Sequence, residues 1–241
     1  YQMAGMMNAA DNNESVARKR GCWRLSWRAA LYFWFAIALI FWGGYLFLRH
    51  QRATVNRVEA INFARQISEE LVAFDEDYGS FPSSATSEAV KLKTAWPWQL
   101  GDGSSNQLFC QLIANGCKSE RVFFAAINGT HKVDDVWKPE GTALKPGECG
   151  FSYIAGLSSK SSPQAPLVVT PLIPGITRFD PRPFNGRALI LRVDKSISCP
   201  KIGRSGKVMI QGKDLFDPAQ PFWEGKAPAI KWHGANPNFV R

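Results

Sequence analysis

The chain is poor in the residues that usually announce chemistry. Its three histidines, His50, His131 and His233, stand alone and show no ligand spacing. Its five cysteines include no C-x-x-C pair, which argues against a structural zinc site. No stripe of basic residues interleaved with aromatics follows the N-terminal region, which argues against nucleic-acid binding. Two short motifs fail on context. Ser198-Cys199-Pro200-Lys201 has the S-x-x-K spacing of acyl-serine enzymes, but Pro200 and the strand-like run before it oppose the helix that motif needs. Gly203-Arg204-Ser205-Gly206-Lys207 is too short for a phosphate loop. Asn128-Gly129-Thr130 has the form of a glycosylation acceptor, a form short enough to arise by chance. We therefore expect no catalytic residues, no cofactor and no metal, and a protein that is not an enzyme.

The most informative absence is charge. Ala29–Leu48 is twenty residues without a charged side chain. As a helix rising about 1.5 Å per residue, such a run covers roughly 30 Å, the thickness of bilayer hydrocarbon. Trp23 and Trp27 precede it, where amphipathic rings favour the membrane–water interface. Gly43-Gly44 is tolerated in a membrane helix and permits close helix contact. A buried core helix is seldom this long without charge. A cleaved signal peptide has a shorter apolar core followed by small residues, whereas Arg49-His50-Gln51-Arg52 follows here.

The flanks set an orientation. Arg18, Lys19, Arg20, Arg24 and Arg28 precede the span, and Arg49, Arg52 and Arg57 follow it. The excess predicts a cytoplasmic N-terminus and residues 49–241 on the other side. The net charge is +9, of which residues 1–52 carry +5. That concentration suits topology and anionic lipid better than nucleic acid. Met3–Ser15 reads as a disordered tail. Cys22 falls on the cytoplasmic side, and Cys110, Cys117, Cys149 and Cys199 on the outer side. An even number in an oxidising compartment suggests two disulfides. Of the three pairings four cysteines allow, we favour Cys110–Cys117 with Cys149–Cys199.

Beyond the span, Ala60, Ala64, Ile67, Leu71, Phe74 and Tyr78 recur at steps of four and three, a helical stripe. Gly79 suits the residue just past a helix end, and Pro82 prevents resumption. A helix continuous over 29–78 would extend roughly 75 Å. Downstream, Gly150–Ile154, Leu167–Thr170, Ala188–Val193 with Ser196–Ser198, and Lys207–Ile210 read as strands, the third pair as a hairpin. Val122–Ile127 fits a buried strand or a short helix, and Leu108–Ala114 a brief helix starting at Ser104. Pro and Gly are dense from Pro139 onward. Phe179-Asp180-Pro181-Arg182-Pro183-Phe184 nearly repeats in Phe216-Asp217-Pro218-Ala219-Gln220-Pro221-Phe222, and we read both as structural loops pinned by phenylalanine. Asp214 and Asp217 are too few oxygen ligands for a calcium loop.

An apolar span, an amphipathic continuation containing Ala60-Ile61-Asn62-Phe63-Ala64-Arg65-Gln66-Ile67, and the ending Asp77-Tyr78-Gly79-Ser80-Phe81-Pro82 together resemble the type IV pilin and type II secretion pseudopilin family. The resemblance is carried mainly by residues 29–82. Gly186–Ser196 (GRALILRVDKS) is similar to a strand–turn–strand of some pilin-like proteins. The resemblance implies an α+β fold: a long N-terminal helix, transmembrane then amphipathic, packed on a small antiparallel sheet with long Pro/Gly-rich loops. It implies a cytoplasmic basic tail over 1–28, a transmembrane helix over 29–48, a stalk helix over 49–78 and an extracytoplasmic globular domain over 79–241. The implied role is a non-catalytic subunit or accessory protein of a type IV pilus or type II secretion-type assembly. Its partners would be the membrane, other pilin-like or secretion-system subunits and further copies of itself. The implied location is the bacterial inner membrane, crossed once, with the C-terminal domain periplasmic or extracellular. Val58, Ile61, Ile67, Leu71, Phe74 and Tyr78 are the expected packing and assembly residues.

The family's processing pattern is missing. Counting Cys22 after Gly21 as the first residue, the fifth is Ser26 where the family has Glu, and Arg24 and Arg28 interrupt the apolar start. This departure leads us to expect a helix retained in the membrane. The alternative function is a membrane-anchored periplasmic binding or scaffold domain unrelated to filaments.

Overall fold

The computed structural model describes residues 23–135 and 143–234, and side chains from Trp27 onward except those of residues 28 and 29. The expected tail over 1–28, with Met3–Ser15, Gly21 and Cys22, thus lies largely outside the described residues, as does Pro139. The chain divides into two compact units, Tyr1–Gln51 and Arg52–Arg241.

The first helix, α1, spans Trp23–Tyr78. Within the first unit its described side chains are exposed on every side, Ile37 alone being partly covered. Its segment Ala30–Tyr78 is long and apolar enough to cross a membrane, and none of its apolar window is buried. Apolar side chains exposed all round a helix cannot be matched to water, so the described residues include one candidate membrane span.

The second unit has α+β architecture. In it α1 becomes one-sided: Ala53, Ala60, Ala64, Ile67, Leu71 and Phe74 are buried, at a step of seven and then steps of four and three, which keep one face toward a core. The helix stops at Tyr78, and Gly79 follows with φ of 75°, a left-handed turn that glycine adopts without strain. Two shorter helices follow, α2 (Ser87–Thr94) and α3 (Ser105–Ala114). Ser104 caps α3, its side chain accepting from the Gln107 N–H.

The sheet has five strands: β1 (Ser152–Ala155), β2 (Pro166–Thr170), β3 (Leu189–Arg192), β4 (Ile197–Ser198) and β7 (Ala229–Lys231), in the order β4-β3-β2-β1-β7. Every pairing is antiparallel. A separate hairpin joins β5 (Met209–Ile210) to β6 (Lys213–Asp214). Gln211 and Gly212 between them have φ of 50° and 80°, as a two-residue turn with two left-handed centres requires.

The register places Tyr153, Val168 and Leu191 side by side on one face and Ser152, Val169 and Ile190 on the other. All of β2 is buried, so both faces are covered. On the Tyr153 face, the Phe109 ring of α3 lies 5.4 Å from the Tyr153 ring and 4.9 Å from that of Phe123. The Tyr153 hydroxyl donates to Pro82 O at 3.0 Å, beside the end of α1. The α1 stripe, α3 and the central strands belong to one buried cluster.

Val122–Ile127 forms no strand. Glu120–Phe123 is a short 3-10 turn, and Phe123 O accepts instead from Gly150 N–H at 3.0 Å. That close approach needs glycine: a Cβ at Gly150 would lie 2.6 Å from Ala125 O. The two Phe-Asp-Pro loops meet, with the Phe179 and Phe216 rings stacked at 5.9 Å. Asp180 pairs with Arg182, and Asp217 accepts from the Ala219 N–H, so both aspartates order their own turns.

Candidate functional site

The amphipathic half of α1 is the candidate site, because it holds the residues expected to carry packing and assembly. Ile67, Leu71 and Phe74 are fully buried, and Ile61 and Tyr78 pack partly buried against the same cluster. Val58 does not join them. It is 50% exposed, and Val55 is 62% exposed. The reason is geometric: Val58 lies two residues from Ala60, about 200° around the helix, so burying Ala60 turns Val58 outward. Val58 is therefore not on the buried face, which holds Ala60 and Ala64 as the stripe predicts and Ala53 in addition.

The C-terminal end of α1 is clamped. The Tyr78 hydroxyl donates to Asn115 Oδ1 at 3.0 Å, and Asn115 Nδ2 donates to Asp77 Oδ2 at 3.0 Å. Lys93 of α2 donates to Asp77 Oδ1 at 2.7 Å and sits 4.9 Å from the centre of the Tyr78 ring. The hydrogen bond from Lys93 holds the Asp77 carboxyl below its ordinary range. Nearer the middle of the helix, Arg121 pairs with Glu59 at 3.7 Å. Farther along toward Arg52, Asn185 Nδ2 donates to Thr54 Oγ1 at 3.2 Å. These contacts add register along α1, and the buried stripe supplies the stability.

The expected disulfides are absent: Cys110, Cys117, Cys149 and Cys199 are free thiols. Each has surroundings of its own. Cys110 faces Ala143 O at 3.2 Å, and Cys117 turns to Ser119 O at 3.7 Å. Cys149 is fully buried beside Ser105 Oγ and Phe151 O. Cys199 belongs to a loop whose carbonyl accepts from Arg187. Burial pushes the Cys110 and Cys149 thiols up to about 12 and Cys117 to about 11. Thiolate is the reactive form, so iodoacetamide at about pH 8 should label Cys149 only after denaturation, with Cys199 modified first in the folded protein. Mass spectrometry of the alkylated chain checks this. Failure of all four to react even after denaturation without reductant would restore the disulfides.

His233 is also buried. Its Nδ1 lies 3.3 Å from Ser152 Oγ, and its Nε2 is buried without a partner. Burial lowers its pKa from 6.5 to about 4. A folded-state value below the unfolded one gives stability that is present above about pH 6.5 and lost as the pH falls toward 4. The loss is worth about 3 kcal/mol. Glu120 and Glu148 have raised values from burial. They act in the opposite sense, with stability present at low pH and lost as the pH rises above the carboxylate range. Melting temperatures measured from pH 6.5 to 4 should therefore fall more steeply for the wild type than for His233→Gln.

The remaining sequence motifs are built into the fold. Ser198 lies on β4, not on a helix, and its Oγ accepts from Arg192 at 2.9 Å. Gly203–Lys207 is a tight turn closed by Gly203 N–H to Lys207 O. Thr130 Oγ1 donates within its own turn, to Ala125 O and Ile127 O. Asp214 pairs with Lys207 at 2.8 Å. One group escaped sequence reading: Glu120, Asp134 and Glu148 bring a carboxylate oxygen each to within 4.8 Å of one another. They are far apart in the chain and follow no ligand motif.

No family model, curated protein or solved structure matches this chain.

Proposed function

We propose that the protein is a non-catalytic, pilin-like subunit or accessory component of an envelope assembly of the type IV pilus or type II secretion kind. The observation that carries this reading is the division of α1 into an apolar half exposed on every side and a one-sided half whose stripe joins the core of an antiparallel-sheet unit. On this reading the first half lies in the bacterial inner membrane with its N-terminus cytoplasmic, as the arginine and lysine excess before the span favours. The second unit is then periplasmic or extracellular. The free thiols give this location no support of their own.

The partner surface of the stalk is its outward face, where Val55 and Val58 are exposed. A neighbouring pilin-like helix, from another subunit or another copy, is the partner. The test is a photo-cross-linking residue placed at Val58 in native membranes. Adducts with another single-span subunit, lost when the probe is moved to buried Ala64, support the reading. Adducts only with soluble proteins, or none, reject it in favour of an anchored binding or scaffold domain.

A further inference from the structure

The second unit holds an acidic centre that the assembly reading does not use. Glu120 and Glu148 are almost completely buried, and Asp134 is exposed beside them. Glu120 Oε1 accepts from the Leu144 N–H at 2.6 Å, while its Oε2 is buried with no partner. Glu148 Oε2 accepts from the Lys145 N–H at 2.6 Å, and its Oε1 lies 3.9 Å from His131 Nε2. Asp134 Oδ2 accepts from Lys145 Nζ at 2.9 Å.

The residues around the centre hold it in place. Asp135 Oδ1 accepts from both Ser119 Oγ and the Glu120 N–H, fixing the turn that carries Glu120. Asn106 of α3 donates to Leu144 O and Lys145 O, fixing the turn that carries Glu148.

Two observations point to a ligand. The first is the convergence of three carboxylates, two of them buried, with the Lys145 ammonium pairing with Asp134. Like charges so placed repel, and buried charges are ordinarily paired or bound to metal. The second is the Glu120 Oε2 atom, wholly buried and without any donor. A buried carboxylate oxygen without a partner is costly unless something positive reaches it. With no separation above 4.8 Å, the three oxygens are close enough to share one cation at ordinary metal–oxygen distances of about 2.0–2.6 Å. Oxygen donors select hard cations. Mg²⁺ usually keeps several waters and takes one or two carboxylates, whereas Ca²⁺ accepts several, mono- or bidentate.

We propose that Glu120, Asp134 and Glu148 bind a divalent cation, Ca²⁺ by donor type and number, and that the ion fastens segment 119–135 to segment 143–149. The site stands whether or not the protein belongs to a filament assembly.

The test uses the full chain in detergent, stripped with EDTA and then titrated calorimetrically with Ca²⁺, Mg²⁺ and Zn²⁺ up to about 10 mM, above the millimolar range of weak extracellular calcium sites. Ca²⁺ should bind saturably at one ion per chain. At a hundredfold excess over its Kd it should raise Tm by about 5–10 °C. Glu120→Gln and Asp134→Asn should each weaken Ca²⁺ at least tenfold. Without the ion, Glu120→Gln should melt no lower than the wild type, because it removes an uncompensated buried charge. Asp134→Asn, at an exposed position, keeps the test valid if the buried variant misfolds. Silence with Ca²⁺, a response to Mg²⁺ or Zn²⁺ alone, or Ca²⁺ affinity unchanged in the variants overturns the proposal.

Discussion

Replacing Leu71 with aspartate should unfold the second unit, and the same change at Val58 should leave it folded. Leu71 is fully buried in the α1 stripe, whereas Val58 is half exposed on the opposite side. Losing the leucine alone costs about 2–5 kcal/mol in packing. Burying a carboxylate without a partner adds a further penalty of a few kcal/mol. The sum reaches the whole stability of a typical domain, about 5–15 kcal/mol. Val58→Asp, like other surface substitutions, should shift stability by no more than about 0.5 kcal/mol. Thermal melts followed by circular dichroism, with limited proteolysis of the full chain in detergent, distinguish the two. A folded Leu71→Asp protein would mean that the stripe is not the packing face.

The second large effect concerns the apolar half. Ile37→Arg combined with Ile40→Arg should release the protein from membranes. Each arginine near the centre of a span costs about 2.5–3.5 kcal/mol, against about 0.3–0.6 kcal/mol gained per apolar residue. The pair therefore erases the contribution of roughly ten apolar side chains, most of the exposed run. In alkaline carbonate extraction the wild type should remain in the membrane pellet and the double variant should move to the supernatant. Release of the wild type under the same conditions would show that α1 does not span.

Periodicity made the helix legible. The stripe from Ala60 to Phe74, the stop at Gly79 and the cap at Ser104 could all be read because each is a local rule written in adjacent residues. The apolar runs that became β1, β2 and β3 were legible for the same reason. Where tertiary contact decides, the sequence was silent. Helix α2 buries only Ser87 and Val90 and leaves Leu92 81% exposed, and its N-terminal Thr86 makes no side-chain capping bond. Strand β7 is three residues following Pro228, recruited by pairing with β1. The run at Val122–Ile127 had the apolarity of a strand, but its start belongs to a 3-10 turn and Phe123 O accepts from the Gly150 N–H.

The site was read unevenly. Ile67, Leu71 and Phe74 follow from the stripe, whereas Val58 lies off the stripe and is half exposed. The cysteine count invited disulfides, whereas distance and separate burial determine whether thiols meet. Glu120, Asp134 and Glu148 come together only through folding of the segments around Asn106 and Asp135, so no spacing could reveal them.

The most direct test of the assembly reading is to extract the native membranes gently, separate complexes by size and identify what migrates with this 26.8 kDa chain. The account predicts a large complex in which the protein is accompanied, at fixed stoichiometry, by other single-span subunits with pilin-like stalks. A chain that migrates alone, or only with a soluble partner, would contradict it.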